Sequence, residues 1–496
     1  MADSVRVPLC SGWVDVMKTT TLEYESQIPA STGDLLAWHA RPGAFERLTP
    51  DWAHTHVIES NGSIYPGDWK KIRVAVGPTH FDWVVEHERL DGAGFRDVQR
   101  TGPFKSWQHD HYFRAVGPGE SLLEDRIDYA LPLGAIGALV ADSQTRRTLD
   151  NLFWFRHTRT RNDLARHHRS MASAPLRIAI TGSTGLVGNQ LISFLKAGGH
   201  TVLPIVRKLT GAPDEIHWNP QTDDIDGTTL EGVDAVIHLA GASIADGRWT
   251  QAQKHRIEES RVRGTALLAE TLATLSRPPK VLVSASAVGF YGDRGETIIT
   301  EEMPEGGGFL SGVCAAWEAA ADPARAVGIR VVHPRLGIVL AGGGGMLSKL
   351  RPLFRIGGGG RLSDGGQYMS WVALDDLLGI LLESVTNERL SGSVNAVSPN
   401  PVTNREFTEI LARIVHRPAI IPAPAPLLRI ALGQMADELL LASQRAIPQC
   451  LKRERFAFDF PLLEDALRFE LGAIDDATLE RFLGRMSLSS RAGVYV

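Results

Sequence analysis

The chain has 496 residues, 22% of them charged and 43% hydrophobic, with a formal net charge of −5. That length accommodates about two to four domains with ample cores, and the balance is that of a water-soluble globular protein. The slight acidic excess argues against a general nucleic-acid or membrane-surface binder. The three cysteines, Cys10, Cys314 and Cys450, are scattered and odd in number, which suits a reducing compartment and predicts a cytoplasmic protein without a disulfide framework. No basic region followed by a long apolar core opens the chain, and no uninterrupted apolar run is long enough to span a bilayer.

The first 170 residues hold ten of the sixteen histidines and seven of the eleven tryptophans. A strand at TTLEYESQI and a helix from Thr32, ending across 45–50, come first. Strand-like runs follow at 69–76, 81–90, 95–101, 107–116 and 121–129, separated by Gly-Pro, Asp-Gly and Gly-Pro-Gly turns. A long amphipathic helix is predicted from Asp142 to Arg166, with Leu149, Leu152, Phe153 and Phe155 towards the sheet. This order, strand, helix, several antiparallel strands and one closing helix, resembles the START-like (SRPBCC) helix-grip superfamily over roughly 19–168. The resemblance implies a cavity between sheet and helix, with an apolar ligand, unless the aromatic residues simply fill a core.

Two histidine pairs, His54/His56 and His109/His111, would each place two imidazoles on one strand face. No carboxylate or cysteine cluster with ligand spacing accompanies them in the sequence, so no metal site is predicted. Seven arginines between Arg146 and Arg169 are read as a solvated helix face. Residues 166–175 are polar, end in Ser-Ala-Pro, and read as a linker.

From Leu176 onward strands alternate with helices, which predicts a parallel, doubly wound sheet. TGSTGLVG at 181–188 lies between the strand 177–180 and a helix beginning at Leu186. Its glycines, Gly182, Gly185 and Gly188, are spaced three apart. They suit a tight turn, close backbone approach to a pyrophosphate, and close helix–strand packing. Ser183, Thr184, Leu186 and Val187 complete the loop, and the helix N-terminus offers N–H groups to phosphate. Further strands are expected at 200–207, 234–241, 280–286 and 329–335, with helices at 250–273 and 310–327. The second strand ends Val206-Arg207-Lys208, where an NAD site would place an acid. The two cations favour the 2′-phosphate of NADP (NADPH); the alternative is that they are merely solvated.

TGSTGLVG, HLAGASI (238–244), VSASAVGFYG (283–292) and PRLGIVL (334–340) occur in the order of an extended short-chain dehydrogenase/reductase. With WTQAQKHRIEESRVRGT (249–265), GGGGRLSDGGQYMSWVALDDL (357–377) and PNPVTNREFTEILARIVHRPA (399–419), they closely resemble the atypical epimerase-type family. That family is described as NAD-dependent epimerase/dehydratase or nucleoside-diphosphate-sugar epimerase. The resemblance spans about 176–471 and implies a START-like domain (1–168), a linker (169–175), a Rossmann domain (176–398), a small C-terminal domain (399–475) and a tail (476–496). It places Leu239, Ala240 and Gly241 beside the cofactor, and Ser284 and Ser286 at the end of the fifth strand, where the family's serine meets a substrate carbonyl.

The catalytic slot departs from the superfamily. None of the seven tyrosines has Lys four residues on, and Phe309 and Val313 stand near where that pair belongs. Phe cannot donate a proton and Val cannot hold a ribose hydroxyl. Ser284, Ser286 and Tyr291 are the candidate replacements, with Tyr368 nearby; the alternatives are a polar strand end for the serines and a core residue for Tyr291. Glu318 reads as a solvated or capping carboxylate. The expected activity is hydride transfer or epimerisation on a small-molecule substrate. The rival is a cofactor-binding sensor or scaffold coupled to the front domain.

Overall fold

The computed structural model describes residues 19–76, 79–132, 135–170, 174–212 and 214–489; residues 76, 135–140 and 484–489 are described by their backbone alone. The front half is a seven-stranded antiparallel sheet. Its strands, in spatial order, are Thr20–Ile28, Glu120–Ala130, Ser106–Gly117, Gly94–Thr101, Thr79–Glu88, Trp69–Val76 and His56–Ser60. The meander runs from 56 to 130, and the first strand closes it with Tyr24 opposite Asp125. The edge strand His56–Ser60 was not expected, because all five of its residues are exposed and carry no hydrophobic alternation.

Helix boundaries shift in three places. Ser31 accepts the Asp34 N–H at 3.1 Å and starts the helix Thr32–Ala40. A separate turn of helix, Ala44–Arg47, follows from Gly43 at φ 93°, so the first helix does not extend to residue 45. The long helix spans Ala135–Arg169, not 142–166, because the backbone is already helical through the apolar residues 135–141. At 35 residues it is about 52 Å long and occupies the start of the expected linker; residues 171–173 of that linker lie outside the described residues. His54 is in a left-handed conformation (φ 47°) ahead of the strand, so His54 and His56 do not share a strand face.

The second half contains a parallel sheet in the order Ile216–Asn219, Thr201–Val206, Arg177–Thr181, Ala235–His238, Val281–Ser284, Arg330–Leu336 and Gly392–Ala396. The chain leaves Arg177–Thr181 in one direction and later returns to its other side. This is the reversal at which doubly wound sheets bind ligands. Ile178, Ile180, Ile237 and Val283 are buried there between helices on both faces. The helix expected over 310–327 divides into Phe309–Ala319 and Asp322–Ala326 at Pro323. No helix among the described residues is long and apolar enough to cross a membrane.

The residues after 399 do not form a core of their own. Phe407 and Phe469 join Phe155 of the long helix and Leu340 and Trp371 of the second half in one cluster. A capping box at Thr403 and Glu406 starts the helix Asn404–Ile414.

The halves meet through buried charges. Arg47 bridges Asp163 and Asp375, Arg159 pairs bidentately with Asp375, and Arg166 reaches Asp376 and Asp459. Part of the arginine stretch is therefore interface, not a solvated face. Glu470 lies beside this network and accepts the Gly342 N–H at 2.8 Å. Burial pushes its pKa up to about 8, with Arg159 opposing and Asp375 assisting. A raised acid pKa means the folded chain retains a proton that the unfolded chain loses above its ordinary value of 4.5. This group's contribution therefore falls as pH rises from about 4.5 to about 8. Glu470→Gln should flatten the pH dependence of stability across that window and raise the melting temperature near its upper end by several degrees. Parallel melting curves for the two proteins would refute the assignment.

Candidate functional site

The strand Arg177–Thr181 runs into the glycine turn and the helix Leu186–Ala197 leaves it. Gly182 has φ 69°, and a Cβ there would come within 2.9 Å of the Leu239 carbonyl carbon. Gly188 packs more tightly still: its Cβ would lie 2.2 Å from the Gly182 carbonyl oxygen. These two glycines serve the turn and the helix–strand contact. Gly185 differs. It precedes the helix, donates to the Gly182 carbonyl at 2.9 Å, and meets no protein atom closer than 3.2 Å at its missing Cβ. Ser183 is buried, Thr184 exposed, and Leu186 and Val187 half-buried. No side chain caps the helix start, which leaves its first N–H groups to a ligand or water.

The strand Ala235–His238 brings Leu239, Ala240 and Gly241 against this turn. Thr181 Oγ1 accepts the N–H groups of Leu239 (3.1 Å) and Ala240 (3.2 Å) and places its own proton on His238 Nδ1 at 2.7 Å. Burial lowers the His238 pKa to about 4, so the ring is neutral and can accept. Gly241 faces Arg261, whose guanidinium donates to the carbonyls of Ala242 (2.9 Å) and Ile257 (3.1 Å). Arg207 and Lys208 extend beyond Thr201–Val206, whose Ile205 pairs with Thr181, and so lie at the same end of the sheet. Both are exposed, and neither has an ion-pair partner among the described residues. The twelve predicted cofactor residues thus converge on one end of adjacent strands.

The predicted catalytic residues are held differently. Tyr291 is fully buried; its hydroxyl donates to Asn395 Oδ1 at 2.7 Å and accepts from Arg335 Nη1 at 2.9 Å. Burial pushes its pKa up to about 12 despite Arg335. Tyr291 is therefore a core residue with a satisfied hydroxyl, and not a free proton donor. Ser286 Oγ donates to Glu318 at 2.7 Å, and Arg335 clamps the same carboxylate through Nε and Nη2, both at 2.8 Å. Burial opposes ionisation of Glu318, but Arg335 and Ser286 together hold its pKa below the ordinary value. Glu318 is neither solvated nor a cap. Ser284 is buried, and its Oγ has no partner among the described residues.

Phe309 and Leu310 begin a helix whose first N–H groups are taken by the Glu438 carboxylate at 3.0 and 2.8 Å. Val313 is buried one turn on, so the positions expected of a Tyr–Lys pair carry packing and capping instead. Tyr368 is half-buried with Arg445 stacked 4.7 Å above its ring. Arg335 and Asn395 escape sequence reasoning. The signal for Arg335 is a buried cation beside Pro334 in a strand otherwise apolar at its centre, Arg330–Leu336.

The front sheet encloses a second candidate site, a cavity of about 640 Å³. Trp83, Trp107, Phe45 and Phe95 line it, as the aromatic content suggested, but so do histidines and carboxylate in register. His87, Asp97 and His109 oppose one another on three adjacent strands, and His111 opposes Asp125 on the next pair. The expectation that His109 and His111 lack carboxylate company is thereby corrected. The acids come from neighbouring strands, so no spacing within one strand could reveal them. His87 Nδ1 lies 2.6 Å from Asp97, and His157 Nε2 of the long helix lies 2.8 Å from Asp125. Burial works against a charge on His111, but Asp125 and Asp97 together push its pKa up to about 9.

Comparison with known proteins agrees with the glycine turn and the parallel sheet around it. Residues 178–347 match the NAD dependent epimerase/dehydratase family, and residues 423–470 match a domain of unknown function. An epimerase family protein of Mycobacterium bovis is 43% identical over 292 residues, which cover 59% of this chain and 96% of that protein. The chain belongs to the epimerase family. Human epimerase family protein SDR39U1 is 33% identical over 297 residues, 59% of this chain and 99% of its own. The crystal structure of its isoform 2 with NADPH is similar over 60% of this chain and all of that one, with a TM-score of 0.56 and 31% identity. A Corynebacterium glutamicum structure described as a nucleoside-diphosphate sugar epimerase is similar over 95% of this chain and 98% of that one, at 33% identity and a TM-score of 0.74. The family resemblance thus extends, in that structure, to the front half as well.

Proposed function

We propose that this epimerase-family chain is an NADP(H)-dependent protein of the hydride-transfer class, acting on a small carbonyl or alcohol compound. The observation that carries the reading is the uncapped helix start at Gly185, with Arg207 and Lys208 exposed and without an ion-pair partner among the described residues at the end of the neighbouring strand. In this reading the pyrophosphate lies over Gly185 and the helix N-terminus, and Arg207 and Lys208 take the 2′-phosphate. Leu239 to Gly241 border the riboses. NADPH in the human relative's structure supports the same choice of cofactor. The nicotinamide supplies the hydride when bound.

Arg207→Ala should weaken NADPH binding by about tenfold or more and hardly change NADH binding, as expected for one charge-assisted contact to the extra phosphate. Equal losses for both cofactors in calorimetric titration would overturn the assignment.

A second reading, a cofactor-dependent sensor without turnover, is favoured by one specific observation: the hydroxyls of Tyr291 and Ser286 are committed to Asn395 and Glu318. The front sheet gripped by a 35-residue helix over a cavity supports a START-like ligand-binding domain for residues 1–168, coupled to a Rossmann domain at 176–398. Its ligand has an apolar or aromatic body, matching the tryptophans and phenylalanines of the wall.

A further inference from the structure

The side chains on the cavity face of the front sheet are arranged as a ligand set. His109 and His111 stand two residues apart on one strand, their ring centroids 3.8 Å apart. His109 Nδ1 lies 3.7 Å and His111 Nε2 lies 3.4 Å from a single oxygen, Asp97 Oδ2. Both separations are longer than a good N–H···O hydrogen bond, at about 2.7–3.2 Å. They are close to the roughly 3.4 Å that separates neighbouring ligands placed tetrahedrally at about 2.1 Å from one ion. Nitrogen and oxygen atoms of Asp97, His109 and His111 all lie within 4.8 Å of one another.

The outward atoms of the three side chains face other charged groups. Asp125 Oδ1 meets His109 Nε2 in a hydrogen bond at 3.2 Å and lies 2.6 Å from His111 Nδ1, close enough for an ion pair but without hydrogen-bond alignment; these are the ring nitrogens that face away from Asp97. Asp97 Oδ1 is held by His87 Nδ1 at 2.6 Å, and the other oxygen of Asp125 by His157 Nε2 at 2.8 Å. A metal-bound histidine characteristically turns its other nitrogen to a carboxylate, which fixes the ring and raises its basicity. A mere buried ion-pair network has no need to aim two imidazole nitrogens at one oxygen while the opposite nitrogens share another. Asp97, His109 and His111 line the cavity, whereas Asp125 is not among its lining residues, so the converging side is the one open to a ligand.

We propose that Asp97, His109 and His111 bind one divalent first-row transition-metal ion, of the zinc or iron(II) kind, in the floor of the front cavity. Two imidazoles and one carboxylate are donors suited to such ions. Asp125, His87 and His157 position the ligands and do not touch the metal. Three protein ligands leave at least one coordination position facing the cavity, where an oxygen or nitrogen donor of a bound molecule would complete the shell. This site is independent of the nucleotide-binding reading, which stands or falls on the other half of the chain.

The test uses the full chain, stripped with chelator and titrated with Zn²⁺. One equivalent should bind per chain at micromolar concentration or below. Asp97→Asn and His111→Ala should each abolish it, while Asp125→Asn should weaken it by about 10- to 100-fold, as loss of an orienting partner does. Circular dichroism and the melting temperature of each metal-free variant report whether it is folded. Crystals soaked in Zn²⁺ give a readout that needs no variant: an anomalous peak should fall between Asp97, His109 and His111. The proposal is overturned if no saturable Zn²⁺ binding occurs, if folded Asp97→Asn keeps the full equivalent, or if the peak lies elsewhere.

Discussion

Gly188→Ala should cost NADPH binding about a hundredfold, or roughly 3 kcal/mol, although no atom of residue 188 is required to touch the cofactor. The new Cβ would sit 2.2 Å from the Gly182 carbonyl oxygen, and both atoms belong to backbone that no rotamer change can move aside. The helix Leu186–Ala197 must therefore lift from the strand end and carry its N–H groups off the phosphate position. Gly185→Val makes the informative contrast. Its Cβ would lie 3.2 Å from the Gly182 carbonyl oxygen, a tight contact that a shift of a few tenths of an ångström relieves, so the apo fold should persist with a small loss in melting temperature while the pyrophosphate loses its seat. Calorimetry should find both variants defective in nucleotide binding but Gly188→Ala far more destabilised. Affinity within threefold of the parent for Gly188→Ala would place the phosphate turn elsewhere.

Asp375→Ala should be the most destabilising single change at the junction of the two halves, by about 3–5 kcal/mol. Its carboxylate receives Arg47 Nη2 at 2.9 Å and Arg159 Nε and Nη2 at 3.0 Å, and all three side chains are at most 5% exposed. Removal leaves Arg159 buried without its bidentate acid and Arg47 with Asp163 alone, which is worse than removing the whole cluster. Denaturant unfolding followed by tryptophan fluorescence should show the loss. A change below about 1 kcal/mol would mean that water reaches the cluster and solvates the arginines.

What could be read from the chain, and what could not, divides along one physical line. Local patterns were legible. The glycine spacing, the cations after Val206 and the strand-like run at 69–76 each mark an element through neighbours in sequence, and those elements lie where expected. Registers across strands were not. Asp97 meets His109, and Asp125 meets His111, only because separate strands align, so the cluster is invisible to any window along the chain. Tyr291 shows the same limit: its hydroxyl is filled by Arg335 and Asn395, 44 and 104 residues away. The long helix begins in apolar residues without an amphipathic period, and the strand His56–Ser60 buries nothing, so neither leaves a local pattern.

The covalent connection between the halves contributes less to their association than the surfaces it joins. Phe155 of the front half lies in a cluster with Trp371 and Phe469, and Ala197 of the nucleotide helix lies in the front half's own core. Gly43 approaches the Ser193 carbonyl so closely that a Cβ would fall 2.3 Å from it. His167 stacks on Phe194 at 4.3 Å. Geometry and specificity therefore reside in the interface. Were the two halves supplied as separate chains, the same contacts would have to form between molecules, and their association would depend on protein concentration for the first time. The front half by itself would leave Arg159, Arg166 and Phe155 without the partners that the rest of the chain supplies.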